Sequence, residues 1–307
     1  MKSLSRKLIS FLPVLFLFWN FDCLAQLPQE QPLWSKGIPD NPVKYKEEKL
    51  RTSATLKSSL SQLNRVFSCV SVPTYIIHIP EKGKANGVAL VICPGGGFRD
   101  VWFDREGNDL GLWLAQRGIT SLVLKYRTFN TDAEGFTLKQ NKYAPQVYAD
   151  AKQAIYVLRS KAKELNIDEN KIGIAGFSAG GSLSLSIALE MNEKELPAYA
   201  WFNKISTKPD FAGLFYPGLS PELMNLAKNK DSIPPVFIIN GGQDKTTPAA
   251  NCIELYKILT SKNISTELHI YAKGGHGFDS GLERGYGISL WRESFIAWLK
   301  DQGFIKE

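Results

Sequence analysis

The stretch Lys171-Ile172-Gly173-Ile174-Ala175-Gly176-Phe177-Ser178-Ala179-Gly180-Gly181-Ser182-Leu183-Ser184-Leu185 constrains the fold more than any other. Ile172, Ile174 and Ala175 read as a strand buried on both faces, and Leu183, Leu185, Ile187, Ala188 and Leu189 as a helix that follows it. At the corner stands Gly176-x-Ser178-x-Gly180. A sharp strand-to-helix turn of this kind strains the serine's backbone and presents its hydroxyl, while small neighbours let strand and helix pack closely. A Gly-rich turn between two core elements produces the same letters, so the pattern carries weight only with its context.

Residues 1–25 differ in kind from the remainder. Lys2, Arg6 and Lys7 precede the apolar run Leu8 to Trp19, and Cys23 and Ala25 place small residues at −3 and −1 of a cleavage point before Gln26. This predicts a secretory signal peptide and a periplasmic or secreted protein. The run is too short to span a bilayer, so no stable membrane insertion is expected. Lipidation of Cys23 is the competing reading, and Phe21-Asp22 is a poor approach to it. The cations and the single acid of that segment account for two of the seven positive charges of the 307-residue chain, leaving about +5 without basic blocks. Nucleic acid is not implied. Cys69, Cys93 and Cys252 remain, without metal-ligand spacing, so at most one disulfide and no metal or other cofactor is expected.

Residues 26–70 are polar, and Pro28, Pro32, Pro39 and Pro42 argue against regular structure at first; they read as an arm over the domain, held by Leu33-Trp34. From residue 71 to 307 the period changes to that of one α/β domain. Strands are expected at Thr74–Ile79, Gly87–Ile92, Ile119–Lys125, Phe211–Tyr216, Pro235–Asn240 and Glu267–Ala272 besides the elbow strand. Helices are expected at Glu106–Arg117, Pro145–Leu165, Pro221–Ala227, Ala249–Ser261 and Ser289–Asp301, with a loop through Asn130 to Asn141. Such alternation gives a mainly parallel sheet covered on both faces, with function in the loops at the carboxyl ends of its strands. His78 reads as a half-buried structural histidine, and Cys93 as a small hydrophobe.

Three of those loops carry Ser178, Asp244 and His276, in the order nucleophile, acid, base. That is the order of the α/β-hydrolase topology. His276 would take the serine's proton as it attacks a carbonyl, and Asp244 would fix the imidazole tautomer. Asp244 could equally cap the following helix, and His276 could be a surface residue. Cys93-Pro94-Gly95-Gly96-Gly97-Phe98 supplies a glycine loop whose N–H groups can turn toward developing negative charge, so Gly96, Gly97 and Ala179 are the expected oxyanion donors. Phe98, Trp102 and Phe103 beside it could stack on a sugar ring or pack the loop. His269, flanked by Leu268 and Ile270, is expected to face away from the core. Asp150, Asp279 and Glu283 are the other acids, none where the topology delivers its acid.

The chain resembles bacterial carbohydrate esterases of the acetyl xylan and feruloyl esterase type, the BD-FAE-like group of α/β-hydrolases. The resemblance is carried by Leu33-Trp34-Ser35-Lys36-Gly37-Ile38-Pro39, Val70 to Thr74, Val91 to Phe98, Glu106-Gly107, Leu124-Lys125-Tyr126-Arg127, Ile174 to Gly181 and Gly274-Gly275-His276-Gly277-Phe278. It implies a serine esterase acting on an acylated polysaccharide or oligosaccharide through Ser178, Asp244 and His276. Between Tyr216-Pro217 and Pro235 the chain is shorter than many such proteins, which predicts a more open acyl pocket. A prolyl-oligopeptidase-like peptidase and a silent binding protein share the fold, so fold alone leaves both open.

Overall fold

Parallel strands buried on both faces are apolar at nearly every position, and here Asn240 is the one polar side chain in the four central strands, its amide donating to Thr247 O at 2.8 Å. In the computed structural model, which describes residues 28–39, 45–52, 60–61, 63–129, 144–190, 204–282, 284–285 and 287–306, each residue of Ala89–Cys93, Ile172–Phe177, Ala212–Phe215 and Val236–Gly241 is buried. The signal peptide expected at 1–25, the loop at 130–141 and Glu283 lie outside the described residues.

In chain order the elements are β1 (Gln31–Pro32), β2 (Lys49–Thr52), β3 (Arg65–Ser68), β4 (Thr74–His78), β5 (Ala89–Cys93), β6 (Asp100–Val101), α1 (Asp109–Ala115), β7 (Thr120–Lys125), α2 (Ala144–Ser160), β8 (Ile172–Phe177), α3 (Ala179–Ala188), β9 (Ala212–Phe215), α4 (Pro221–Asn229), β10 (Val236–Gly241), α5 (Ala249–Ser261), β11 (Thr266–Tyr271) and α6 (Trp291–Asp301). Eight strands form one sheet in the order β1-β4-β7-β5-β8-β9-β10-β11. It is parallel from β7 to β11, with β4 and β1 added antiparallel at one edge. After β5 the chain pairs β7 on one side and then crosses to place β8 on the other. That reversal opens a crevice at the strands' carboxyl ends, where open α/β sheets bind ligands.

Alternation along the strands divides the core between the faces. Val236 and Ile238 pack with Cys252, Leu255 and Leu259 of α5. Phe237 and Ile239 belong to the larger cluster, where the Phe237 ring lies 5.3 Å from Phe295 and 5.6 Å from Trp298 of α6. Aromatic burial of this kind contributes about 0.5–1.5 kcal/mol per ring pair beyond the area removed from water.

Several expectations change in detail. The helix expected from Glu106 begins as a π-turn, Asp104–Asn108, before α1. Asp104 in that turn is buried and accepts from the Arg65 backbone N–H at 2.6 Å and from its guanidinium Nη2 at 2.9 Å, tying β3 to the turn. The prolines of the arm do not exclude regular structure. Pro32 pairs opposite Thr74 in β1 at the sheet's edge, where a missing N–H costs least. β2, β3 and β6 form a second, three-stranded sheet. Leu33 and Trp34 are buried, and the Trp34 indole N–H donates to Asp150 Oδ1 at 2.8 Å. Asp150 also takes the Arg127 guanidinium at 2.8 and 2.9 Å. His78 is fully rather than half buried, its Nε2 lying 2.8 Å from Asn108 Oδ1, and burial pushes its pKa below the usual value. Cys69, Cys93 and Cys252 are free thiols.

Candidate active site

Five adjacent strands deliver five loops to one edge. β5 and β8 are paired in register, Ile92 with Ala175 and Cys93 with Gly176, so the glycine loop and the serine elbow emerge side by side. β10 and β11 pair as far as Gly241 with Tyr271, which brings the Asp244 and His276 loops together. β9 stands between these pairs and ends at Phe215, just before Tyr216.

The elbow has the strain its motif demands. Ser178 adopts φ +51° and ψ −114°, which L-residues seldom occupy. Its N–H donates to Phe215 O at 2.9 Å, and its carbonyl accepts from Ser182 N–H at 3.0 Å and Gly218 N–H at 3.2 Å. The surroundings therefore over-determine a costly conformation.

The structure brings Ser178, His276 and Asp244 into one hydrogen-bonded line. Ser178 Oγ lies 2.9 Å from His276 Nε2, and His276 Nδ1 lies 2.7 Å from Asp244 Oδ2. A carboxylate can only accept, so Nδ1 carries the proton and Nε2 is free to accept from the serine. The Asp244 side chain is wholly buried. Its charge is met by N–H donors from Thr246 and Thr247 at 2.8 Å to Oδ1 and by the Thr247 hydroxyl at 2.8 Å to Oδ2. Those bonds close a turn at Thr246 and Thr247 and do not cap α5, which begins after Pro248 without a side-chain cap, so the capping expectation is corrected while the histidine-orienting contact stands.

Gly96 and Gly97 hold φ +130° and +64°. Only glycine fits at 96, where a Cβ would meet Asp100 O at 2.1 Å. The loop is fastened from outside: Tyr126 OH donates to Pro94 O at 2.7 Å, and Asp100 N–H to Gly96 O at 2.9 Å. Among the described residues, the N–H groups of Gly96, Gly97 and Ala179 donate to no backbone carbonyl. Gly96 and Gly97 line a cleft of about 550 Å³ together with Ser178, His276, Trp102, Thr246 and Glu106.

Of the aromatic candidates, Trp102 is on the cleft wall, with the Arg51 guanidinium 5.4 Å from its ring centre. Phe98 is not. It is 4% exposed and stacks on Phe129 at 5.6 Å, so of its two readings, substrate contact and loop packing, the first is corrected and the second is what the structure shows. Phe103 is likewise buried. His269 stands off the site, 2.5 Å from Glu267 Oε1, but its ring lies 5.3 Å from core residue Phe237, so it does not simply face away.

Sequence reasoning missed the groups beneath the cleft. Glu106 is buried, accepting from Gly95 N–H at 2.7 Å and from Tyr216 OH at 2.7 Å. Burial pushes its pKa up to about 7 against those two hydrogen bonds. Asp279 pairs with Arg105 at 2.5 Å and with Arg284 at 3.2 Å, and burial raises its pKa. Glu106-Gly107 and Tyr216-Pro217 were visible as letters, but residues 110 apart in the chain leave no periodic trace of their contact. Among the described residues no group of three or more His, Cys, Asp and Glu side chains is arranged to hold a metal, and no helix is long and apolar enough to cross a membrane.

The BD-FAE family model matches residues 76–212. Acetylxylan esterase of Xylanibacter ruminicola is 27% identical over 79% of this chain and 54% of its own length. Endo-1,4-beta-xylanase B of Butyrivibrio fibrisolvens is 29% identical over 61% of this chain and 32% of its own. The chain thus spans about half the length of the first of these curated relatives and about a third of the second. In structure it is similar to the acetyl ester-xyloside bifunctional hydrolase of Caldicellulosiruptor lactoaceticus, with a TM-score of 0.66 and 25% identity over 92% of this chain and 100% of that one. The carboxylesterase Cest-2923 of Lactobacillus plantarum shares the fold at a TM-score of 0.62 and 18% identity, covering 85% of this chain and 99% of that one. Family match, relatives and fold together show an α/β-hydrolase fold whose residues 76–212 are similar to the BD-FAE esterases.

Proposed function

We propose that the chain is a serine carboxylic-ester hydrolase that removes acetyl or feruloyl groups from hemicellulose such as xylan. The observation that carries this reading is the line Ser178 Oγ, His276 Nε2, His276 Nδ1, Asp244 Oδ2, with contacts of 2.9 and 2.7 Å, opening on a cleft edged by Gly96 and Gly97. The xylan relatives and the structural neighbour support the substrate class. The basic residues Lys2, Arg6 and Lys7 ahead of the apolar run Leu8 to Trp19 support a signal peptide and so export to the periplasm or medium, where such polymers are met.

Each step follows from the geometry. Ser178 Oγ forms a bond to the ester carbonyl carbon as its proton passes to His276 Nε2. The imidazolium so formed is stabilised by Asp244, whose buried carboxylate is already charged and hydrogen-bonded. The carbonyl oxygen becomes an oxyanion and receives N–H groups of Ala179 and the Gly96–Gly97 loop, each worth about 3 kcal/mol of barrier. His276 returns its proton to the departing sugar oxygen, leaving an acyl-serine and a free hydroxyl. Water repeats the sequence, giving its proton to His276 and releasing the carboxylic acid and Ser178.

The test is acid release from acetylated xylan, an aryl acetate and an aryl ferulate by the protein and by Ser178→Ala. The variant should lose roughly 10⁶-fold in kcat and keep its fold, because one hydroxyl is removed. Serine-dependent acetate release from the polymer supports the whole reading. Hydrolysis of aryl esters alone keeps the chemistry and moves the substrate; an active Ser178→Ala overturns it.

A further inference from the structure

Glu106 is a buried acid that the proposed reaction does not use. Its side chain turns from the π-turn under the loop that follows β5. Oε2 accepts from Gly95 N–H at 2.7 Å, one residue before the expected oxyanion donors. A Cβ on Gly95 would lie 2.6 Å from Oε2 and 3.1 Å from Ser178 Cβ, so carboxylate, loop and nucleophile are in contact. On the other side, Oε1 accepts from Tyr216 OH at 2.7 Å. Tyr216 OH in turn accepts from Asp279 N–H at 3.1 Å, and the tyrosine ring stands edge-on to the His276 ring at 5.2 Å. One carboxylate therefore joins the two halves of the site.

We propose that Glu106 is a positioning residue for the oxyanion loop: as a carboxylate it holds Gly95 and thereby aims the Gly96 and Gly97 N–H groups, and its protonation weakens that hold. This rests on the esterase reading of the same cleft. Gly96 and Gly97 lie in a region of backbone space that glycine leaves for others at little cost, so their directions depend on outside ties. The tie at Gly95 is charge-assisted and about twice as strong as a neutral one while Glu106 is ionised.

The groups facing Glu106 are Gly95 from the β5 loop, Tyr216 from the end of β9, Tyr126 from the end of β7, Arg105 from its own turn, and Asp279, paired with Arg284, from the loop after His276. Burial is the largest influence and favours the protonated form; the Tyr216 and Gly95 hydrogen bonds oppose it, Asp279 adds to it and Arg105 opposes it. With a pKa of about 7 the carboxyl changes state near neutral pH. A protonated Glu106 cannot point its hydrogen at Gly95 N–H, since two donors would then face each other. The proton goes to Oε1, the Tyr216 hydroxyl rotates, and Gly95 keeps only a neutral bond. Oxyanion stabilisation should fall as pH drops through 7.

The experiment is kcat and KM on an aryl acetate from pH 5.5 to 9 for the wild-type protein, Glu106→Gln and Tyr216→Phe, each with a melting curve. The wild type should show an extra ionisation near 7 in kcat, that of Glu106. Glu106→Gln mimics the protonated acid: its kcat at pH 8 should fall about tenfold with KM within twofold, and the extra ionisation should vanish. Tyr216→Phe removes a bond that lowers the carboxyl's pKa, so the step should move to higher pH; this variant carries the test if Glu106→Gln fails to fold. A Glu106→Gln enzyme with wild-type kcat and profile, or a Tyr216→Phe profile that does not move, overturns the proposal while the esterase reading stands. A wild-type protein that hydrolyses no ester overturns both.

Discussion

The serine and the histidine of this site are held in opposite ways. Ser178 sits where strand and helix touch through missing side chains: a Cβ on Gly176 would meet Gly180 O at 2.2 Å, and one on Gly180 would meet Cys93 O at 1.9 Å. His276 sits between Gly275 and Gly277, where an added Cβ meets nothing within 4 Å. What fixes it is side chains that are present, Asp244 at its Nδ1 and the Tyr216 ring at its face. The nucleophile's place is enforced by close packing of backbone, which fails all at once. The base's place is enforced by separable polar contacts, which can be removed singly. A strained serine needs the first kind of support, whereas a base that must gain and lose a proton is served by the second.

The sharpest way to break this contrast is Gly180→Ala. Its Cβ would overlap the carbonyls of Cys93 and Pro94, at 1.9 and 2.6 Å, so α3 would have to leave β5 in the middle of the core. Overpacking against immovable backbone belongs to the small class of substitutions that cost more than about 4 kcal/mol. The expected outcome is little folded protein, read by near-UV circular dichroism and a melting curve. A variant that melts within a few degrees of the parent would show that the elbow is not set by contact.

Asp244→Asn is next, and it probes the other half. The amide keeps the shape but presents a donor where His276 Nδ1–H and the Thr247 hydroxyl both expect an acceptor. The imidazole then loses its tautomer, and kcat should fall about 10⁴-fold, with KM within a few-fold and the fold retained. A kcat close to the parent's would mean that Thr247 and Tyr216 orient the histidine without the carboxylate.

The same contrast explains how much could be read from the letters. The parallel strands are nearly continuous apolar runs, and β8 with its Gly-x-Ser-x-Gly corner is local, so sheet, elbow and the chain order of Ser178, Asp244 and His276 were legible. Contacts between distant side chains were not. Glu106 with Tyr216, and Trp34 with Asp150 116 residues away, follow no period. Phe98 misled for a related reason: beside a glycine loop an aromatic ring can face either way, and here the loop's turn aims it at Phe129. The arm misled because Pro32 reads as a breaker unless the strand it joins is known to be an edge.

The smallest expected effects divide the two glycines beside the histidine, and they test whether space or backbone conformation matters there. Gly275 has open space and a φ outside the positive region, so alanine meets no clash and narrows the unfolded ensemble; stability should change by at most about 1 kcal/mol, in the favourable direction, with kcat within twofold. Gly277 has the same open space but φ +73°, where a Cβ is strained against its own carbonyl. Gly277→Ala should therefore cost about 1–2 kcal/mol, and because the strain is relieved by turning the loop, part of the loss should appear as a lower kcat. Paired melting curves and rates decide the matter. If Gly275→Ala were as damaging as Gly180→Ala, the histidine loop would be held by packing after all, and the difference between the two halves of the site would disappear.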